Sequence, residues 1–271
     1  MSQRHFREML EQQWQKDHFV CVGLDTDQNQ IPEAARCEDM VQTISQFNFA
    51  IVDATCDLVC AYKPNIAFYE ALGIQSIAAL RETITYIKEK APEVPVILDA
   101  KRADIGSTNK GYVQAVFDYF GADAVTVHPY LGREALQPFL DQKEKGIFVL
   151  CRTSNPGAGE FQDLPIRPFS ETTQEVLIRK KVLQILSEKN KKVPLWAYVA
   201  ASVALHWNEN RNCGLVVGAT YPKELAQVRK IVGDLPILIP GVGAQGGDVE
   251  ETVKAGMDSK KQGMIINSSR G

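Results

Sequence analysis

Eight short apolar runs, rich in β-branched residues, recur along this chain and constrain its fold more than any other feature. Each run is apolar at consecutive positions, which is typical of buried parallel strands, whereas half-exposed antiparallel strands alternate apolar and polar residues. Stretches with helical periodicity, such as 39–56, 76–90 and 223–233, lie between them. The runs cover residues 19–25, 57–63, 94–100, 122–128, 145–151, 214–220, 235–241 and 263–269.

Strands that alternate with helices predict βα units, and a count of eight predicts an α/β fold with a single (β/α)₈ TIM barrel. We expect one domain over residues 1–271, with an N-terminal helix over 4–16. An open doubly wound sheet is the competing architecture. Against it, the first run is not followed by the Gly-x-Gly-x-x-Gly turn of dinucleotide-binding sheets.

One connection is longer than the others, because 62 residues separate Cys151 from Gly214. It contains a Pro/Gly-rich loop, a charged helical segment over 171–189 and the segment 196–207. The alanine content of 196–207 favours a helix over a strand. A long loop directly after a barrel strand is where a cover for a bound substrate would lie.

The composition excludes several classes of protein. The net charge is −3, with 23% charged residues, so neither nucleic acid nor an anionic membrane surface is an expected partner. No apolar stretch approaches the roughly 20 residues of a membrane span, and the N-terminus has no apolar core of a signal peptide. The six cysteines form no Cys-x-x-Cys pair and do not cluster with histidines, which argues against zinc. Reduced thiols of this kind predict a cytoplasmic location.

Polar residues follow the apolar runs, at the ends that surround the active-site face of a barrel. In the densest cluster Asp99 directly ends an apolar run, Lys101 follows two residues later, and Asp104 comes after a turn. Residues two apart point the same way if the chain stays extended, and flanking carboxylates would keep Lys101 protonated and direct its proton. A solvated salt-bridge cluster is the alternative. The strand-end residues are Asp25, Lys63, Asp99, Lys101, His128, Ser154, Gln245 and Arg270.

The loops after the seventh and eighth runs, GVGAQGGD and NSSRG, are rich in glycine. Barrels often bind phosphate in these two loops, and the guanidinium of Arg270 matches phosphate oxygens. The glycine-rich loop alone could be only a turn. Together with Arg270 it predicts a phosphate site. Ser154 could equally be a helix cap before Asn155, and Asp25 only a residue of a strand-end turn.

The segment DAKRADIGST resembles the Asp-x-Lys-x-x-Asp signature of the orotidine 5′-monophosphate decarboxylases, with the Ile-Gly-x-Thr extension of that family. Other segments agree with it. They resemble the longer-chain bacterial subgroup, and the similarity runs from about residue 6 to residue 271. These segments are GLDTD, YKPNIAFYE, HPYLGREALQPF, TSNPGA, GATYPKEL and PGVGAQGGD.

The resemblance implies a carboxy-lyase of de novo pyrimidine biosynthesis, which converts orotidine monophosphate to uridine monophosphate and carbon dioxide without metal or other cofactor. Lys101 would then donate the proton to C6 of the pyrimidine, and Asp99 would lie against the substrate carboxylate. Lys63 and Asp104 would complete an alternating Lys-Asp-Lys-Asp chain. The loss of carbon dioxide leaves a carbanion without a nearby electron sink, which a fixed ammonium group can stabilise.

The resemblance also implies the residues that bind substrate. Asp25 and Lys63 would contact the ribose, and Ser154 the edge of the pyrimidine, with Pro240 near it. Gln245 and Arg270 would hold the 5′-phosphate.

A homodimer is implied as well, in which Asp104 and Thr108 reach across the interface. Members of the family continue into a last helix, so we expect that helix to be absent or to lie beyond residue 271.

Three other functions fit part of the pattern. A sister barrel enzyme could decarboxylate or isomerise a sugar phosphate, in some cases with magnesium, although Lys63 stands where a metal-dependent relative would more readily place a carboxylate. A Schiff-base aldolase would need Lys101 neutral, which the flanking aspartates oppose. A nucleotide-binding barrel without activity would need the phosphate loops but not the Lys/Asp chain.

Overall fold

The computed structural model describes residues 4–166, 172–186, 192–243 and 246–269. All eight predicted strands are present as parallel strands of one sheet, each inside or overlapping its apolar run. Their bounds are β1 Val20–Leu24, β2 Val59–Pro64, β3 Ile97–Arg102, β4 Ala124–Val127, β5 Gly146–Leu150, β6 Cys213–Val216, β7 Ile237–Ile239 and β8 Met264–Ser268.

The strand order is β2-β1-β8-β7-β6-β5-β4-β3, and it is built from consecutive parallel pairs. Isolated parallel bridges from Tyr62 to Val96 and from Asn65 to Asp99 join the two outer strands β2 and β3. The sheet therefore closes into the predicted TIM barrel, and the open doubly wound alternative is excluded. A short antiparallel ribbon, Pro165–Ile166 with Val193–Pro194, was not predicted and lies within the long connection after β5.

Helices connect the strands and form the outer layer. The segment 196–207 is helical as predicted, since its helix continues as a π-helical turn over Val203–Trp207. Asp39 and Asp248 cap two of the helices by accepting a backbone N–H three residues on. The helices are α1 Phe6–Trp14, α2 Met40–Thr55, α3 Ile66–Glu70, α4 Ile74–Lys90, α5 Gly106–Val113, α6 Gly132–Leu140, α7 Gly159–Gln162, α8 Thr173–Leu186, α9 Leu195–Ser202, α10 Pro222–Val232 and α11 Val249–Gly256.

Helix α1 closes one end of the barrel. Phe6 and Trp14 are buried among the residues of the barrel interior, and Trp14 Nε1 donates a hydrogen bond of 2.8 Å to the carbonyl of Met264. The rings of Phe6 and Phe148 meet edge to face at 5.6 Å. Gly146 makes room for this contact, because a Cβ there would lie 2.5 Å from the Phe6 ring. Helix α1 therefore covers the end of the barrel interior that lies opposite the carboxyl ends of the strands.

Side chains that point into the barrel change from apolar to polar along four of the eight strands, β2, β3, β4 and β8. We call the inward residues nearer α1 the lower layer, and the residues two positions further along each strand the upper layer. The lower layer is a buried apolar cluster of Cys21, Ala61, Ile97, Ala124, Phe148, Val216, Leu238 and Ile265. The upper layer is Gly23, Lys63, Asp99, Thr126, Leu150, Gly218, Pro240 and Asn267.

All six cysteines are free, and four of them are buried: Cys21, Cys60, Cys151 and Cys213. Burial raises the pKa of the Cys21 and Cys151 thiols to about 12. These groups are neutral thiols that pack as small apolar side chains. Over the described ranges, no helix has the length and apolar character that crossing a membrane requires.

Candidate active site

A cavity of about 450 Å³ opens at the carboxyl ends of the strands, and Val216 and Leu238 of the lower layer are among its lining residues. Six of the eight upper-layer residues line it, and the other two are glycines. One side of the cavity is charged and the other is largely apolar. Its charged and hydroxyl-bearing lining residues are Asp25, Lys63, Asp99, Lys101, Thr126, Thr153, Ser154 and Ser269.

Lys63 is the buried cation of the site, with only 3% of its surface exposed. Its Nζ lies 3.2 Å from Asp99 Oδ2 and 3.6 Å from Asp25 Oδ1. Burial opposes the charge of the ammonium, but the carboxylates of Asp99 and Asp25 outweigh it and raise the pKa of Lys63. Lys63 is therefore a fixed positive charge between two acids.

Asp99 is the centre of a row of three ion-paired side chains, Lys63, Asp99 and Lys101, which we call the ion chain. Its Oδ1 accepts hydrogen bonds from Lys101 Nζ at 2.6 Å and from Thr126 Oγ1 at 2.8 Å. Burial alone would raise the pKa of this carboxyl, but the ammoniums of Lys63 and Lys101 outweigh burial and lower the pKa to about 2. Asp99 is consequently a carboxylate throughout the neutral range.

Lys101 lies at the mouth of the cavity, and its side chain is 50% exposed. The expectation of an extended chain at this point is wrong, since Lys101 has a φ of +46°. The left-handed conformation is unfavourable for a residue with a Cβ, and such strain is typical of functional sites. The side chains of Asp99 and Lys101 meet because of this turn, which brings the ammonium back to the carboxylate.

Asp104 does not join the cluster within its own chain; the resemblance to the family places it across a dimer interface instead. Its backbone N–H donates to Asn109 Oδ1 at 2.9 Å, and its own Oδ1 accepts the N–H of Ile105 at 2.7 Å. These bonds hold Asp104 at the start of α5, outside the lining of the cavity. Thr108 is exposed on the same helix and does not line the cavity either.

The predicted binding residues fall into two groups. Asp25, Ser154 and Pro240 line the cavity together with Lys63. The backbone of Ser154 packs so closely on Gly218 that a Cβ there would lie 2.6 Å from Ser154 Cα. The predicted phosphate residues, Gln245 and Arg270, lie outside the described residues.

Arg152 was missed by the sequence interpretation. It is 3% exposed, its Nε lies 2.9 Å from Asp163 Oδ1, and its guanidinium stacks 3.8 Å from the centroid of the Tyr221 ring. These contacts tie the loop that carries Ser154 to the loop after β6. The available signal was a charged residue directly after a strand that is otherwise buried.

Thr126, Asn267 and Ser269 were also missed, although each lines the cavity. Asn267 Nδ2 donates to Ser269 Oγ at 3.0 Å. Each of the three occupies an inward position in a strand or directly after it. A polar residue at an inward position near the end of an apolar run is the signal that could have found them.

In the part of the chain that the structure describes, no three His, Cys, Asp or Glu side chains form a group that could hold a metal ion. The charges that face the cavity come instead from the two lysines and the acids that pair with them.

A closed parallel barrel with a chain of alternating acids and ammoniums at its open mouth defines the class: a (β/α)₈-barrel protein with its ligand site at the carboxyl ends of the strands. Comparison with known sequences then gives the family. Residues 18–271 match the model of the orotidine 5′-phosphate decarboxylase / HUMPS family, and the chain belongs to that family.

Individual relatives agree over nearly the whole chain. An orotidine 5′-phosphate decarboxylase from Thermomicrobium roseum is 48% identical over 267 residues, which is 98% of this chain and 85% of the relative. One from Ralstonia pickettii is 47% identical over 266 residues, 98% of this chain and 88% of the relative. The solved structure of Leishmania donovani OMP decarboxylase superimposes with a TM-score of 0.79 at 34% identity, over 98% of this chain and 90% of that one. The resemblance drawn from the motifs is thus confirmed.

Proposed function

We propose that this chain is a carboxy-lyase of de novo pyrimidine biosynthesis that converts orotidine monophosphate to uridine monophosphate and carbon dioxide. The observation that carries the proposal is the chain Lys63–Asp99–Lys101 at the mouth of the cavity, with contacts of 3.2 Å and 2.6 Å. Relatives that are 43–48% identical to this chain bear the name of that activity.

The chemistry requires a proton donor at the carbon that loses its carboxylate. When the bond from C6 to the carboxylate carbon breaks, its electron pair stays on C6 in an sp² orbital that no neighbouring carbonyl can accept. An ammonium fixed beside C6 stabilises that charge as it develops. In the proposed step Lys101 Nζ donates a proton to C6, its N–H bond breaks and the new C–H bond forms. The half-exposed amine then regains a proton from solvent.

Asp99 has two proposed tasks. It holds the ammonium of Lys101 by a 2.6 Å contact, and it places a second negative charge near the carboxylate of the substrate. With a pKa of about 2, Asp99 cannot relieve this repulsion by taking a proton at neutral pH. The repulsion disappears when carbon dioxide leaves. Part of the binding energy of the rest of the substrate thus holds the substrate carboxylate next to Asp99, against this repulsion, until the bond breaks.

The remaining residues are proposed to bind the nucleotide. Asp25 and Lys63 would take the ribose hydroxyls at the buried side of the cavity. Ser154 would take the pyrimidine edge, with Pro240 packed near it. Gln245 and Arg270 are proposed for the 5′-phosphate, from the family motifs and the glycine-rich composition of their loops.

We propose that the reaction needs no metal or other cofactor, because Lys101 and Lys63 supply the positive charge. The alternative function, a sister sugar-phosphate decarboxylase or isomerase that uses magnesium to hold an enediolate, would need acidic ligands at the strand ends. Lys63 occupies the end of β2, where such a ligand would be useful.

We further propose a homodimer in which Asp104 and Thr108 contribute to the partner's site. Their place outside the cavity of their own chain, and the 60% exposure of the neighbouring Ile105, support this arrangement. Light scattering at micromolar concentration tests this arrangement. If it gives the mass of a single chain, neither residue can belong to the proposed site. The six free cysteines support a reducing compartment, and we propose the cytoplasm.

The test follows the absorbance of orotidine monophosphate in buffer treated with a chelator, with uridine monophosphate identified chromatographically as product. We expect turnover that added magnesium does not change. Absence of turnover, together with activity on a sugar phosphate restored by magnesium, would favour the sister function. Retained nucleotide binding without any turnover would indicate a binding protein.

A further inference from the structure

Strands β3 and β4 are out of register at the point where the ion chain is built. Leu98 pairs with Val125 and Arg102 pairs with Val127, so that three residues of β3 stand opposite Thr126 alone. Such a bulge leaves backbone N–H groups without partners in the strand ladder. A buried N–H must find another acceptor, because leaving it unpaired is costly.

The side chain of Thr126 supplies that acceptor. The N–H groups of Ala100 and Lys101 both donate to Thr126 Oγ1, each at 3.0 Å. Thr126 is 1% exposed, which shields these bonds from solvent. One hydroxyl therefore holds the bulge, including the residue with a φ of +46° that carries the proposed proton donor.

The hydrogen-bonding capacity of this hydroxyl is completely used. A threonine hydroxyl has two acceptor lone pairs and one donor, and the two N–H groups occupy both lone pairs. The remaining O–H can point in only one direction, toward Asp99 Oδ1 at 2.8 Å. Asp99 in turn contacts Lys101 Nζ through Oδ1 and Lys63 Nζ through Oδ2. Thr126 thus orients the carboxylate that both ammoniums contact.

We propose that Thr126 is a positioning residue, whose hydroxyl fixes the bulge of β3 and the carboxylate of Asp99 so that Lys101 is held at the reacting carbon. This inference rests on the proposed decarboxylation. The role requires the hydroxyl, and the methyl group contributes only packing. Serine at position 126 keeps all three hydrogen bonds. Valine keeps the shape but leaves two N–H groups and one carboxylate lone pair unpaired.

The experiment compares the Thr126→Val and Thr126→Ser variants with a matched control, Thr83→Val. Thr83 is fully buried on α4, and its hydroxyl accepts a hydrogen bond of 3.0 Å from Asn48 Nδ2, away from the cavity. We expect Thr126→Val to lower kcat for orotidine monophosphate about 100-fold, as displacement of a reacting group by an ångström can do, with little change in KM. Thr126→Ser and Thr83→Val should stay within about threefold of the wild type in kcat.

A second measurement monitors the bulge of β3 independently of the catalysed reaction. Hydrogen exchange of the Ala100 and Lys101 amides should be slow in the wild type and in Thr126→Ser, and fast in Thr126→Val at a temperature where circular dichroism shows the variant folded. If the wild type has no turnover, the proposed function and this catalytic role both fail, while the exchange data still report whether the hydroxyl holds the bulge.

Three outcomes would overturn the inference: full kcat in Thr126→Val, a loss in Thr126→Ser as large as in Thr126→Val, or an equal loss in Thr83→Val. If Thr126→Val does not fold, the inference is still overturned by a loss of kcat in Thr126→Ser or by fast exchange of the Ala100 and Lys101 amides in the wild type. An increase in KM with unchanged kcat would make Thr126 a residue of ground-state binding and would also contradict the proposal.

Discussion

The lower and upper layers of the barrel lie on the same strands, two residues apart, and differ in chemistry: the lower layer is wholly apolar, whereas the upper layer contains Lys63, Asp99, Thr126 and Asn267. On β3, Ile97 belongs to the apolar cluster and Asp99 to the ion chain. On β2, Ala61 and Lys63 show the same change. Because inward positions recur with a period of two, a single strand can supply one residue to packing and the next to the site.

Along the barrel axis, the lower layer therefore serves stability and the upper layer serves activity. The lower layer buries apolar surface against α1 and gains the corresponding free energy. The upper layer removes Lys63 and Asp99 from water and offsets that penalty through their mutual attraction and through the contacts with Asp25, Lys101 and Thr126. A chain selected for stability alone would continue the apolar layer upward. The ion pair of Lys63 and Asp99 in the upper layer therefore indicates selection for a task other than folding.

Lys101→Ala is expected to have the largest effect, and it falls on activity. Without the ammonium the proposed carbanion has neither a stabilising charge nor a proton donor, so kcat should fall on the order of 10⁴-fold, or roughly 5.5 kcal/mol. The side chain is half exposed, so the free energy of unfolding should change by less than about 1 kcal/mol. The measurements are steady-state turnover and urea denaturation. A variant that keeps turnover would exclude Lys101 as the proton donor of the reaction.

Phe148→Ala tests the lower layer and should have the next largest effect, on stability. Phe148 is fully buried and contacts Phe6 edge to face at 5.6 Å. Its truncation leaves a cavity and should lower the free energy of unfolding by about 4 kcal/mol. Below the new Tm, kcat should remain within about tenfold of the wild type, since the upper layer is intact.

Phe148→Leu is the matched control and should lose much less stability, because most of the volume is kept. The separation of the two layers breaks down if Phe148→Ala lowers kcat as strongly as Lys101→Ala while the protein remains folded. In that case packing below the site would itself set the geometry of the ion chain.

The sequence predicts the lower layer better than the upper one. Continuous apolar runs locate all eight strands, because burial on both faces dictates composition. Lys63 and Asp99 are found because each is a charged residue at the end of such a run. Thr126 lies inside an apolar run, and a threonine is compatible with a buried strand. The sequence pattern therefore does not indicate a role for its hydroxyl.

The bulge of β3 could not be predicted either. It depends on the register between two strands, which no local propensity encodes, and it gives Lys101 a conformation that its residue type disfavours. Asp104 likewise does not meet Lys101 within one chain, although only two residues separate them in sequence. Geometry of this kind is set by tertiary contacts.

Gly23→Ala should have the smallest effect of these variants, a loss of stability. It tests whether close packing also constrains the upper layer. Gly23 belongs to the upper layer by position, yet it has no polar atom to offer the cavity. A Cβ there would lie 1.9 Å from Ser269 Oγ and 2.9 Å from Ser269 Cβ, so rotation of the hydroxyl alone cannot relieve the clash. The variant should lose about 1–3 kcal/mol of unfolding free energy, as overpacked sites do.

The double variant Gly23→Ala, Ser269→Gly should recover most of this loss, because it removes both clashing atoms. The coupling energy from the double-mutant cycle should then be at least about 1 kcal/mol. Gly111→Ala is the control: a Cβ at Gly111 has nothing within 4 Å, and the substitution should be neutral or slightly stabilising. A coupling energy near zero would mean that the space left by Gly23 is not what accommodates Ser269. The upper layer would then be free of packing constraints on this side, and its glycine would need another explanation.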